Sequence, residues 1–238
     1  MNRPIRLSAL SALLLAFATA AFAGTITFDS SASTVYYVGY TGYTGSGVDV
    51  GAPLPAPSLP LMVYTSMPGG LLPTYDLGQG AWAAPIGGSS WVGDAATDGP
   101  GGAAGAPPPQ GYYTYVSSFA ASPSDANVKL SVMADDTAEV FLNGVLVAPF
   151  DAIGSDTRCA EGTTGPSCTY PYYTVPVTLG ANNVLTIIDY QASGLDSAGI
   201  DFELTTFTPE PGSLLLLATG LFILAGFTAK ARGNGLLR

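Results

Sequence analysis

Histidine is absent from the 238 residues, lysine and arginine together number 7, and there are 2 cysteines. Without imidazole the chain excludes Ser-His-Asp and Cys-His catalysis, zinc sites built on histidine, and haem ligation by histidine. The few bases are also unevenly placed. Arg3 and Arg6 sit at the start, and Lys230, Arg232 and Arg238 at the end. Residues 24–208 keep only Lys129 and Arg158 against 16 of the 17 acids, a net charge of −14. So acidic a segment repels phosphate backbones, which argues against nucleic acid as a partner. Its 185 residues suit one domain of sandwich or barrel size.

The two ends read as addresses. Residues 1–23 form a secretory signal peptide: Arg3 and Arg6 are the positive start, Leu7 to Phe17 the short apolar run, and Ala21-Phe22-Ala23 the small-residue cleavage box. Cleavage after Ala23 leaves Gly24 as the mature start. An N-terminal membrane helix is the alternative, but the apolar run is short for a ~30 Å hydrocarbon core. Residues 209–238 begin with Pro209-Glu210-Pro211, continue through an apolar stretch of 16 residues from Leu214 to Ala229, and reach Lys230 and Arg232. That stretch is expected to be a transmembrane helix, residues 214–229, with the positive end cytoplasmic. The prolines before it cannot continue a helix, because they lack an amide hydrogen.

Pro-Glu-Pro, a short Leu/Gly/Ala-rich helix and a basic cluster, in that order over residues 209–232, resemble the PEP-CTERM sorting signal of Gram-negative bacteria. The resemblance implies export, a transient stay in the inner membrane, and processing near Pro209-Glu210-Pro211 by an exosortase. It also implies a host that makes exopolysaccharide, and a final place on the cell surface or in the extracellular matrix. Gly233 to Arg238 extend past the usual basic end. An ordinary membrane anchor behind a proline-rich hinge is the alternative.

Residues 24–208 read as an all-β domain, a β-sandwich or barrel. Short β-rich runs alternate with Gly- and Pro-rich turns, and amphipathic helical periods are missing. Strands are expected at 25–28, 34–40, 61–64, 112–119, 128–133, 138–142, 145–148, 172–177, 183–190 and 199–207. Val128-Lys129-Leu130-Ser131-Val132 alternates apolar and polar, as does Ile200-Asp201-Phe202-Glu203-Leu204 with its carboxylates on the outer face. Asn143-Gly144 between two such runs predicts a tight hairpin. Residues 51–60 and 94–109 are expected to be long surface loops of the same domain.

The order Ser89-Ser90-Trp91-Val92-Gly93, Gly111-Tyr112-Tyr113-Thr114-Tyr115, Ala134-Asp135-Asp136 through Asn143-Gly144, and Leu179-Gly180-Ala181-Asn182-Asn183-Val184 resembles the galactose-binding-like jelly roll. It covers roughly residues 89–207 and implies a sandwich of the kind found in exported, carbohydrate-associated proteins. Residues 24–84 have no counterpart in that pattern.

Cys159 and Cys168 are separated by eight intervening residues in a turn-rich segment. In an oxidising compartment a local disulfide is expected, stabilising by ~2–3 kcal/mol; free thiols are the alternative. The acids raise structural calcium as the one expected cofactor. Asp135 and Asp136 sit at the start of a strand, and Asp94 and Asp98 lie in a glycine-rich loop able to wrap an ion. For Asp135-Asp136 the competing reading is turn capping. Paired carboxylates also permit glycoside hydrolysis, but no local signature supports it, and solvated outer-face acids are the simpler reading. The aromatic cluster Tyr36, Tyr37, Tyr40 and Tyr43 is the candidate sugar-binding surface, since a flat ring fits the apolar face of a sugar. Trp91 is expected in the core. Together these features describe a non-enzymatic exported protein that binds carbohydrate or another matrix component. The alternatives are a structural or adhesion protein of a biofilm matrix and, from a third class, a glycan-active hydrolase.

Overall fold

The computed structural model describes residues 25–44, 54–78, 82–99, 108–121, 124–150, 172–192 and 197–207, with Gly220. The cleavage box Ala23-Gly24, the cysteines Cys159 and Cys168, the sorting motif Pro209-Glu210-Pro211 and the expected helix 214–229 lie outside these residues. Among the described residues no helix is long and apolar enough to cross a membrane.

The described strands are β1 (Thr25–Asp29), β2 (Val35–Thr41), β3 (Leu72–Pro73), β4 (Tyr75–Asp76), β5 (Val92–Gly93) and β6 (Gly111–Phe119), then β7 (Ser124–Asp135), β8 (Thr137–Leu142), β9 (Val145–Ala148), β10 (Tyr172–Leu179), β11 (Asn183–Gln191) and β12 (Gly199–Phe207). One sheet runs β10-β7-β12-β5-β4 with β1 also on β12, the other β3-β2-β6-β11-β8-β9. The two pack as an antiparallel sandwich. The pairing is nested: β8 with β9, β7 with β10, β6 with β11 and β1 with β12. Successive pairs alternate between the sheets, which is the winding of a jelly roll. Residues 24–84, unmatched in the resemblance, supply β1 and the extra strands β2, β3 and β4.

Period-two patterning builds the interior. Val128, Leu130, Val132 and Ala134 of β7 and Ile200, Phe202 and Leu204 of β12 meet Leu185 and Ile187 of β11 and Tyr113 and Tyr115 of β6 in one buried cluster. Each large apolar side chain so buried stabilises by ~1.5–3 kcal/mol. The hairpin forms as the sequence predicts: Asn143 (φ 50°) and Gly144 (φ 82°) both take the left-handed conformation of a two-residue turn. Asn143 Oδ1 accepts from Val184 N at 2.9 Å, and its Nδ2 donates to Asn183 Oδ1 at 3.0 Å. The turn is thereby tied to β11.

Two loop layers cover the outer faces. Leu77, Trp82, Ile86 and Trp91 pack with Met133 on the outside of the β7 sheet, the two indoles stacked at 4.5 Å. Trp91 is fully buried, as expected. Leu54, Leu61 and Val63 pack with Tyr112, Ile188 and Tyr190 on the outside of the other sheet.

These layers correct two expectations. Residues 61–64 are not a strand. They lie across a sheet face, where no strand edge is available, and Tyr64 N instead donates to the Thr186 hydroxyl at 3.0 Å. Nor is Asp201 a solvated acid. It is on the outer face of β12, as alternation requires, but lies fully buried. Ser30 Oγ (2.9 Å) and Ile86 N (2.9 Å) donate to its two oxygens. Burial raises its pKa.

Candidate functional site

The four tyrosines singled out in the sequence do not form one surface. Tyr36 is half-buried beside β3, opposite Pro73. Tyr43 is half-buried against the Tyr112–Tyr190 cluster, and its hydroxyl donates to Gln110 Oε1. Tyr37 and Tyr40 come together because β2 is bulged between Tyr37 and Gly39 against β6. An unbroken pleat would send residues three apart to opposite faces, and the extra residue returns Tyr40 to the face of Tyr37.

That face ends in a ladder of phenols. The Tyr40 ring lies 5.2 Å from Tyr113 at 54°, Tyr37 lies 6.4 Å from Tyr113, and Tyr37 lies 5.7 Å from Tyr115. Exposure falls along it, from Tyr40 at 43% to Tyr115 at 0%. Gly111 (φ 153°) makes the outer rung possible, because a Cβ there would sit 2.4 Å from Tyr40 Cε2. Tyr40 Oη donates to Gln110 O at 2.5 Å and Tyr113 Oη to Pro109 O at 2.7 Å, which fixes both rings.

Acids stand beside this ladder. Asp94 and Asp98 follow β5 in a tight turn, in which Ala95 N donates to Asp98 Oδ2 at 2.6 Å and Asp98 N to Ala95 O at 3.1 Å. The turn is part of the expected surface loop 94–109, yet Asp98 is only 3% exposed. Ala198 N, donating to Asp98 O at 3.1 Å, holds it against the start of β12. Burial pushes Asp98 up to about 7, helped by the neighbouring charge of Asp94; burial also raises Asp94. The phenols of Tyr37, Tyr113 and Tyr115 are all held above their ordinary value, first by burial and then by Asp94. Asp189 of β11, fully buried, acts on Tyr113 and Tyr115 in the same direction.

Tyr113 and Tyr115 belong to the tyrosine-rich run 112–115 of the sequence, but Asp189 is not among the residues singled out from it. One signal marks Asp189: it continues the inward series Leu185, Ile187 at period two, where an acid is out of place. The convergence of residues 37–40, 94–98, 113–115 and 189 has no sequence signal.

Asp135 and Asp136 are placed elsewhere. Asp135 is buried and accepts from Trp82 Nε1 at 2.8 Å, while Asp136 Oδ2 accepts from Ala192 N at 2.5 Å. Each carboxylate thus ties a separate segment to the start of β8.

The chain matches no protein-family model and no curated protein. Solved structures with some likeness include the β-glucosidase from Kluyveromyces marxianus in complex with glucose, 8% identical over 47% of this chain and 13% of that one, TM-score 0.30. The catalytic unit of the thermostable GH87 α-1,3-glucanase from Streptomyces thermodiastaticus strain HF3-3 is 13% identical over 40% of this chain and 19% of that one, TM-score 0.22. Dimeric latent PorU from Porphyromonas gingivalis is 14% identical over 85% of this chain and 26% of that one, TM-score 0.27. The chain thus spans about a quarter or less of their lengths, and at these scores the likenesses carry no argument about activity.

Proposed function

We propose that this protein is exported, held transiently in the inner membrane, and sorted by an exosortase to the cell surface or exopolysaccharide matrix, where its sandwich binds carbohydrate without chemical turnover. The addresses at residues 1–23 and 209–238 support the route. The observation that carries the binding reading is the Tyr40–Tyr113–Tyr37 ladder, whose outer ring is 43% exposed. A half-exposed phenol ring gives a sugar's C–H face an apolar platform. The net charge of −14 over residues 24–208 favours a neutral polysaccharide over an acidic one. Asp98 is buried within its own turn, whereas glycoside hydrolysis needs two carboxyls ~5–10 Å apart that both face the substrate.

The test is affinity electrophoresis of the purified protein through neutral and acidic polysaccharides. Retardation by a neutral polymer, weakened about tenfold in Tyr40→Ala, is expected, a loss of ~1.4 kcal/mol. Migration unaffected by every polymer overturns the binding reading. Retention of the protein in inner-membrane fractions when the host's exosortase is deleted tests the route.

A structural matrix role is the second reading. Val145 and Leu146, 51% and 46% exposed, lie on β9, the outer strand of its sheet among the described residues. An apolar edge of this kind favours strand pairing between copies. Concentration-dependent sedimentation that Leu146→Lys abolishes, without polysaccharide retardation, would select this reading.

A further inference from the structure

Glycine carries an entropic cost on folding, which a left-handed backbone or a crowded contact can require. Gly111 answers to crowding, since a Cβ there would collide with the Cε2 edge of the Tyr40 ring. Gly42 lies at the Cε1 edge of the same ring and answers to neither. Its φ is outside the left-handed region, and a Cβ would stand 3.5 Å from Tyr40 Oη, 3.6 Å from Ser58 Oγ and 3.9 Å from Tyr40 Cε1, all ordinary contacts. What the missing side chain leaves is a notch between two hydroxyls, at the exposed end of the tyrosine ladder. Chain pairing builds it. Ser58 N donates to Gly42 O at 2.7 Å, Thr44 N donates to Ala56 O at 2.9 Å, and Tyr43 bridges to Pro57, so residues 56–58 run antiparallel beside 42–44.

We infer that the Gly42 notch is the specificity subsite of the carbohydrate platform, and that it receives one unsubstituted hydroxyl of the sugar lying on the Tyr40 ring. The subsite presupposes the carbohydrate binding proposed above. Its two walls differ in what they offer. Tyr40 Oη commits its hydrogen to Gln110 O at 2.5 Å and keeps only the capacity to accept. Ser58 is exposed and its Oγ has no hydrogen-bond partner among the described residues, so it can donate. A sugar hydroxyl does both at once: seated in the notch, it donates to Tyr40 Oη and accepts from Ser58 Oγ. An O-methyl or O-acetyl group has no proton for Tyr40 and is too bulky for a space that one methyl fills. A sugar carboxylate would set acceptor against acceptor at Tyr40 Oη. The ligand class is therefore a neutral sugar whose free hydroxyl reaches past the edge of the phenol.

Gly42→Ala makes the test direct, because it fills the notch without straining the fold. The full chain in detergent is run by affinity electrophoresis through dextran, galactomannan and xyloglucan, beside its variants. Gly42→Ala should melt with the wild type, while retardation by the binding polymer weakens about tenfold, the scale of one misplaced methyl in a fitted site. Ser58→Ala should weaken retardation, and Ser58→Thr, which keeps a hydroxyl, should restore it. Gly69→Ala, where a Cβ meets nothing within 4 Å, should leave it unchanged. Retardation that Tyr40→Ala weakens but Gly42→Ala and Ser58→Ala leave intact overturns the subsite and spares the carbohydrate reading. A wild type that none of the three polymers retards overturns both. Should Gly42→Ala unfold, Ser58→Ala against Ser58→Thr decides: stronger retardation in the threonine variant supports the subsite, and equal retardation overturns it.

Discussion

Trp82 and Asp135, 53 positions apart, meet where the indole Nε1 donates to the carboxylate Oδ2 at 2.8 Å, buried on the outer face of the β7 sheet. Trp82 also stacks on Trp91 at 4.5 Å. One bond therefore pins the 82–91 layer to the end of β7, through an acid that sequence alone offers as a calcium ligand or a turn cap. Trp82→Phe keeps an aromatic ring but a smaller one, and removes the Nε1 donor. It should cost about 1–3 kcal/mol in urea unfolding, the penalty for a buried acceptor that loses its donor. Asp135→Asn, which keeps an acceptor oxygen, should cost less.

Ser30 Oγ donates to Asp201 Oδ1 at 2.9 Å and accepts from Phe202 N at 3.0 Å, bridging the end of β1 to β12. Ser30→Ala and Asp201→Asn should each destabilise, and their effects should not add. A double-mutant cycle should return a coupling of about 0.5–3 kcal/mol. A coupling of zero would mean the two side chains act independently.

The Asn143-Gly144 turn needs both a left-handed backbone and the side chain of its first residue. Asn143→Gly satisfies φ but loses the bonds to Val184 and Asn183, and should cost about 1–3 kcal/mol. Gly144→Ala adds left-handed strain at φ 82° and a Cβ 2.9 Å from Thr65 Cγ2, so it too should lower the melting temperature. For a domain of this size each kcal/mol corresponds to ~2–4 °C.

Asp98 gives the metal-free protein a pH signature. Its folded pKa of about 7 lies above its ordinary value, so between the two the native state holds a proton that the unfolded chain has lost. Stability then falls as pH rises through that window and levels off above it. Asp94, raised in the same direction, adds to the fall. With EDTA present, the contribution of this pair to the melting temperature should decrease from pH 5 to pH 7.5. Asp98→Asn should flatten the slope, and an unchanged slope in that variant would place its origin elsewhere.

Much of this fold is legible locally. Val128 to Val132 and Ile200 to Leu204 alternate with the period of the pleat, so the strands and their inward faces can be read directly from the order of residues. Asn143-Gly144 gives the hairpin for a similar reason, since few dipeptides accept two successive left-handed conformations. Period two says which side of a sheet a residue faces, but not what covers that side. Asp201 faces outward and is still buried, because residues 86–90, more than a hundred positions earlier, fold over it. Residues 61–64 look like a strand because their composition suits a half-buried surface, which a chain lying across a sheet face also provides.

The sequence by itself determined the segregation of charge: five of the seven bases in the terminal segments, and an acidic, histidine-free middle whose alternation and turns commit it to β-structure. Tertiary structure alone decided what that acidity does. A bulge after Tyr37 turns Tyr40 back toward Tyr113, and nested jelly-roll pairing carries β11 beside β6. A turn after β5 then sets Asp94 and Asp98 within electrostatic reach of tyrosines that Asp189 also reaches. Pleat period and turn chemistry act between near neighbours along the chain. The field at a buried carboxylate depends on distances in space between residues that are remote along it.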